Sequence, residues 1–405
     1  MTAAESTTLP VLTPADIRVA PRRNDLAWVL FGVAAATAFA ICGWLIFLQI
    51  NDNINGHGLA WGLAFAFVPV LPLTAGVLWL DRFDPMPPGW LLVALLWGAL
   101  AATYAALQIN TLVAKQIGDI YGASARSAVF VAPWVEEAVK GAVILLIAYA
   151  RKERFNGIID GLVLGGLVGI GFAFTENILY YGNVFDRVQA SPQGTQKALD
   201  AVQHLFLWRG VAAPFVHPMF TMLTGIGIGI AVRYRQPAIR VLAPVAGYVC
   251  AVVGHMGYNV AASFTARTDG LWPIYVAVLL PMLLILVGFA LWVRSREQRI
   301  LATRLSDYVA YGWLTPRHIA GVSTMKARMT ARRSASRVGS PDLADVRTYQ
   351  RVACELGFIR DKIARGVAGR DTHAREAELL ASLRVLAPIV DTGFAGTYAP
   401  ASSIW

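Results

Sequence analysis

The chain has 405 residues, 56% of them hydrophobic and 15% charged, with a mean hydropathy of +0.54. Soluble domains carry about 25% charge, so an ordinary soluble enzyme is excluded, as is a solvated disordered chain, which needs low hydrophobicity. The net charge of +10 is unevenly placed: from Arg294 onward there are 18 Lys/Arg against 10 Asp/Glu, and before it 17 against 15. Composition thus divides the chain into an N-terminal segment (1–25), an apolar body (26–293) and a basic tail (294–405). The three cysteines, Cys42, Cys250 and Cys354, fit neither a disulfide framework nor a cysteine-based zinc site.

A helix needs roughly 20 apolar residues to cross a hydrocarbon layer about 30 Å thick. Eight stretches qualify: 26–50, 58–80, 89–114, 127–150, 157–182, 208–232, 239–263 and 271–293. The predicted fold is therefore all-α, a polytopic membrane helix bundle of about eight transmembrane helices with a cytoplasmic helical tail. The first, second, third and eighth stretches hold no Asp, Glu, Lys or Arg. The first is too long for a signal-peptide core and runs on as FLQINDN without a small-residue cleavage site, so it is expected to be a retained anchor.

Loop Lys and Arg set the orientation. With the N-terminus inside, the inner segments carry Arg18, Arg22, Arg23, Arg82, Arg151, Lys152, Arg154, Arg233, Arg235 and Arg240, then the basic tail. The outer loops carry only Lys115, Arg126, Arg187, Lys197 and Arg267. Both termini are expected in the cytoplasm. The longest loop, about 183–207, then faces outward and holds a short helix near the membrane surface. In the tail, residues 342–364 and 375–386 space apolar residues at three to four, as helices do, and residues 330–340 before them read as a polar linker. Such a tail is expected to bind anionic lipid or a cytoplasmic partner; a nucleic acid is the less economical explanation.

Ionisable groups inside a bilayer are expensive and mark functional sites; here they occur in four consecutive spans. The fourth, SAVFVAPWVEEAVKGAVILLIAYA, carries Glu136 and Glu137, with Lys140 one turn after Glu136 on the same face. A Glu–Lys pair accounts for one acid and leaves the second as a like charge, a usable general base. The fifth, GIIDGLVLGGLVGIGFAFTENILYY, is rich in glycine and ends with Glu176 and Asn177, one turn beyond Phe172; Asp160 at its inner end reads as structural. The sixth carries Arg209 near the outer boundary and His217 between Pro214 and Pro218. The seventh carries His255 and Asn259 four apart, hence on one face, where an imidazole and an amide can orient water or stabilise an oxyanion. Alternating span direction puts all these groups in the middle-to-outer part of the bilayer, which implies a water-filled cavity open to the outer side.

Together Glu-Glu-x-x-Lys (136–140), Gly-Phe-Ala-Phe-Thr-Glu-Asn (171–177), His217 and His-x-x-x-Asn (255–259) resemble the PrsW family of bacterial multi-pass membrane proteases. Their wider clan includes the type II CAAX prenyl endopeptidases. The resemblance covers about 81–262, including Asp81–Pro88 and Asp160–Gly161, and leaves the tail unmatched. It implies a bacterial cytoplasmic-membrane endopeptidase that cuts a membrane-anchored protein such as an anti-sigma factor. It carries Glu136, Glu137, His217 and His255 over as catalytic residues, with Lys140, Glu176, Asn177, Asn259 and Arg209 supporting them. Two departures from the prenyl endopeptidases stand out: Gly141 occupies the place of their arginine, and Glu176 the place of a histidine.

Two mechanisms fit this inventory. In one, a glutamate activates water while His255 and Asn259 stabilise the oxyanion. In the other, His217, His255 and a glutamate hold Zn²⁺. The cofactor is open at this level, because no His-Glu-x-x-His is present. The alternative class is a proton-coupled transporter or lipid-handling protein, which would use the same buried groups as a relay; inverted repeats would favour it, and none is evident. A catalytically dead scaffold is disfavoured by the intact acid and histidine set.

Overall fold

The computed structural model describes residues 25–121, 129–152, 154–191, 194–265, 271–338, 343–369 and 371–394. The N-terminal segment, apart from Asp25, and the loop residues Arg126 and Arg267 lie outside them. Among the described residues the chain is helical, and it forms two compact units, Leu26–Val293 and the part from Arg294 onward.

In the first unit α1 is Asp25–Asn51 and α2 is Gly56–Leu80. Then α3 (Pro88–Leu96) passes through a π-helical turn, Trp97–Ala102, into α4 (Thr103–Tyr121). Next come α5 (Ala132–Ala150), α6 (Ile158–Gln189) and α7 (Gly194–Phe206). A second π-helical turn, Leu207–Ala212, and a break at Ala213–Phe215 lead to α8 (Val216–Ala231). The unit closes with α9 (Pro237–Thr265), α10 (Leu271–Ile274), a third π-helical turn (Tyr275–Leu279) and α11, whose range Leu280–Ser306 runs into the second unit.

Seven helical stretches among the described residues are long and apolar enough to cross a membrane, and they coincide with seven of the eight expected spans. The remaining one, 127–150, is the helix α5, whose three ionisable side chains set it apart in composition. Its described helix begins at Ala132, so Glu136 and Glu137 stand in its second turn rather than near its middle.

Burial in this unit follows the logic of a lipid solvent. α6 is buried almost throughout, whereas α1, α2, α9 and α11 expose large apolar side chains such as Trp44, Leu71, Leu242 and Ile285. Lipid provides no hydrophobic drive between helices, so small residues that let backbones approach carry the packing. A Cβ on either Gly161 or Gly225 would strike the other's carbonyl oxygen, and this locks α6 against α8. Gly169 does the same one site further on, where a Cβ would lie 2.5 Å from Pro218 Cα. That contact brings α6 against the first turn of α8, which carries His217. Hydrogen bonds fix the other neighbours: Trp97 Nε1 donates to the Val139 carbonyl at 2.8 Å, Thr175 Oγ1 to Ala99 at 2.7 Å, and the Tyr248 hydroxyl to Trp134 at 2.8 Å.

Two expectations need correction. The stretch about 183–207, expected as an outward loop holding one short helix, is mostly helix: α6 continues to Gln189 and α7 follows within a few residues. The reason is an apolar face that persists past Gly182, with Phe185, Ala198 and Val202 buried against Ile50, Ile54 and Tyr181. The linker read at 330–340 is also largely helical, because α13 spans Met325–Val338. Arg328, Ala331 and Ala335 are buried there at helical spacing, and Ala and Arg are both good helix formers.

The second unit contains α12 (Pro316–Ser323), α13, α14 (Leu343–Ala364) and α15 (Thr372–Phe394). Thr315 caps α12 by accepting the His318 amide at 3.3 Å. His318, Tyr349 and Phe394 form an aromatic cluster, and Gln350 binds the Gly321 and Arg328 carbonyls at 3.2 and 3.1 Å.

Candidate metal centre

Four elements of the first unit aim their polar groups at one place. α5 supplies Glu136, Glu137 and Lys140, α6 supplies Glu176 and Asn177, α8 supplies His217, and α9 supplies His255. The second π-helical turn adds Arg209.

Glu137 is saturated. Its Oε1 accepts from Lys140 Nζ at 2.8 Å and pairs with His255 Nδ1 at 3.0 Å, and its Oε2 accepts from Thr221 at 3.1 Å. Glu136 differs: Asn110 Nδ2 approaches Oε1 at 3.5 Å, while Oε2 is buried and accepts no hydrogen bond. That oxygen lies 3.5 Å from Lys140 Nζ and 3.8 Å from His255 Nε2. Glu176 Oε2 receives His217 Nε2 at 2.6 Å and Arg209 at 2.7 Å. Arg209 Nε also reaches Asn177 Oδ1 at 2.7 Å, and its guanidinium lies over the Tyr180 ring at 4.0 Å. The imidazoles of His217 and His255 meet edge to face with centroids 5.0 Å apart. Phe220 stacks on His255, and Lys140 Nζ lies 3.7 Å over the Phe172 ring.

These contacts fix the tautomers. An imidazole nitrogen facing a carboxylate carries the proton, because two acceptors repel. His255 therefore donates from Nδ1 to Glu137 at 3.0 Å, while its Nε2, at 3.8 Å from Glu136 Oε2 too far for a hydrogen bond, carries the lone pair of the neutral ring. His217 donates from Nε2 to Glu176 and keeps its lone pair on Nδ1. A ligating histidine held by a carboxylate through its other nitrogen is the usual outer support of a metal site. Glu136, His217 and His255 each offer a ligand atom, and these atoms lie within 4.8 Å of one another. Two imidazoles and one carboxylate form a donor set used by catalytic zinc. The unbonded Glu136 oxygen is the atom such an ion would satisfy, so the residues fit a divalent metal.

Eight of the nine expected site residues thus join one network. Asn259 stands one turn beyond His255 on α9, half-buried, with its carbonyl accepting from Ser263 Oγ at 2.8 Å. Within the network Glu136, Glu137, Lys140, His217 and His255 are buried, and Glu176 and Arg209 form its more accessible edge. Sequence reasoning missed Thr221 and Asn110. Thr221 follows His217 by one helical turn and was findable by spacing, whereas Asn110 lies in a span that offered no ionisable group to draw attention to it.

The family model described as PrsW family intramembrane metalloprotease matches residues 86–288, which contain every residue of this network. A stretch of 114 residues is 30% identical to a protein named Protease PrsW from Clostridioides difficile (strain 630). That stretch covers 27% of this chain and 48% of the relative, so the chain spans about half the length of the curated protein it matches. No solved structure matches. With half its length, the site included, matched by that model, this multi-pass membrane protein belongs to the PrsW family.

Proposed function

We propose that the chain is a metal-dependent membrane endopeptidase that cuts a membrane-anchored protein, of which an anti-sigma factor is the favoured kind. The observation that carries this reading is the buried Glu136, His217 and His255 set, brought together from α5, α8 and α9 in a bundle that faces lipid. A peptide bond is hydrolysed when water is activated and the developing oxyanion is stabilised.

In this reading Glu136 Oε2, His217 Nδ1 and His255 Nε2 hold the ion, with Zn²⁺ the first candidate. When bound, it supplies Lewis-acid polarisation. Glu136 Oε1 receives the proton from the attacking water. Glu137 and Glu176 keep the two imidazoles in their working tautomers, and Arg209 donates one hydrogen bond to Glu176 and one to Asn177. Asn259, one turn from His255, is the donor proposed for the oxyanion. Family membership weighs against the proton-coupled transporter and lipid-handling alternative.

The loop-charge bias supports cytoplasmic termini. It also supports a division into a short N-terminal segment (1–25), a protease-like body (26–293) and a cytoplasmic tail (294–405) that binds anionic lipid or a partner. The test is the purified protein reconstituted with a single-pass substrate. Cleavage abolished by a chelator and restored by Zn²⁺ is expected; cleavage untouched by the chelator removes the metal, and cleavage untouched in Glu136→Gln removes the catalytic assignment.

A further inference from the structure

Lys140 sits where its charge is hardest to reconcile with a loaded metal site. Its ammonium is fully buried, 2.8 Å from Glu137 Oε1, 3.5 Å from Glu136 Oε2 and 3.3 Å from His217 Nδ1. The third contact is the informative one. His217 donates from Nε2 to Glu176, so its single lone pair lies on Nδ1, and Lys140 takes it. The second contact engages the Glu136 oxygen that otherwise accepts no hydrogen bond. Two of the three atoms that would bind the metal are thus already facing an internal cation.

Resting on the metalloprotease reading above, we propose that Lys140 is a resident competitor for the metal position, so that the ion enters only as the Lys140 ammonium gives up His217 Nδ1 and Glu136 Oε2. One lone pair cannot serve both an N–H donor and a metal. A divalent ion and an ammonium held together in a buried site also repel far more strongly than they would in water. The lysine keeps an alternative hold when it leaves those two atoms: Glu137 Oε1 and the Phe172 face, 3.7 Å away, are not part of the donor set. Lys140 thereby balances the buried carboxylates and makes the metal affinity of the site lower than the donor set alone would give.

The experiment uses the full-length protein in detergent micelles, stripped of metal. It is titrated with Zn²⁺ against a fluorescent indicator, and with Co²⁺ followed by its d–d absorption. Lys140→Met is expected to bind Zn²⁺ at least tenfold more tightly than the parent. Lys140→Gln keeps a hydrogen-bond donor without the charge; it is expected to shift in the same direction and serves if the methionine variant does not fold. Adding Glu136→Gln to either variant is expected to abolish the gain. Equal or weaker binding in the neutral variants overturns the proposal. If the parent still binds Zn²⁺ through Glu136 and His255 in that case, the metalloprotease reading survives. If the parent and both variants bind no more Zn²⁺ than a His217→Ala, His255→Ala double variant, both ideas fall together.

Discussion

α6 holds acids in its first turn and near its middle, and it uses them differently. Asp160 lies in the first turn of the helix, and Glu176 lies about 24 Å further along its axis at 1.5 Å per residue. At the Asp160 end the carboxylates fasten loops. Asp81 Oδ2 accepts the Met86 amide at 2.9 Å, Asp160 accepts the Asn156 amide, and Asp84 accepts the Asn156 side chain at 2.8 Å. Around Glu176 the partners are the Arg209 and His217 side chains, which come from other elements. A backbone amide held by its own loop is a fixed partner, whereas side chains from separate helices can exchange one another for a ligand. The same chemical group fastens a loop at the start of α6 and gathers side chains from other elements near its middle.

The sharpest way to break this contrast lies within α5. Glu136→Gln is expected to lower cleavage of a reconstituted single-pass substrate by about 10³-fold or more, in the range of lost acid–base and metal chemistry. Size-exclusion behaviour should stay parental, because Glu136 Oε2 accepts no hydrogen bond that the amide would forfeit. Glu137→Gln and Glu176→Gln act through the imidazoles they orient and are expected to cost about 10- to 100-fold in metal affinity or activity. A Glu137→Gln variant more damaged than Glu136→Gln would reverse the two roles.

The sequence carried more of the site than of its detail. Charges forbidden by lipid identified Glu136, Glu137, Glu176 and both histidines, because each would be unaffordable on an outward face. Which glutamate is saturated by hydrogen bonds and which keeps an oxygen without one was not legible. It depends on α8 and α9 bringing Thr221 Oγ1 and His255 Nδ1 into hydrogen bonds with Glu137, a matter of helix rotation that periodicity leaves open. The same limit hid α13, whose buried face is made of Arg328, Ala331 and Ala335 and so lacks the large apolar side chains that reveal a helix. Glycine content foretold close packing in α6 but not that Gly169 would receive the His217 turn.

At the start of α6 the expected effect is on stability and its pH dependence. Burial pushes the Asp81 carboxyl up to about 8, helped by the neighbouring Asp160 and Asp84 and opposed by the Met86 amide. A carboxyl raised in the fold favours the protonated form. Its contribution is therefore complete below the ordinary carboxylate range and is lost as pH rises toward 8. Asp81→Asn keeps an acceptor for Met86 and cannot ionise. Thermal unfolding in detergent between pH 5 and 8 should show the parent losing stability relative to Asp81→Asn as pH rises, with the two converging at the acid end. A difference that does not change with pH would mean that Asp81 is ionised throughout and fastens its loop as a charged group.

The smallest effect is expected in the tail, where charges are paired but wet. Arg360 Nε lies 2.9 Å from Asp307 and its guanidinium 3.6 Å from Glu376, with about a third of the arginine and Asp307 side chains exposed. Water and salt screen such a pair, so it contributes about 0–1 kcal/mol. Arg360→Ala should shift the unfolding midpoint little, and the shift should shrink further in high salt. The contrast with α5 is then one of solvent: geometry at Arg360 is as close as at Lys140, but only the buried charge has no water to replace its partner. An Arg360→Ala variant that unfolds as readily as a core truncation would show that the ion pair holds α14 in place, and that exposure alone does not separate the two kinds of pair.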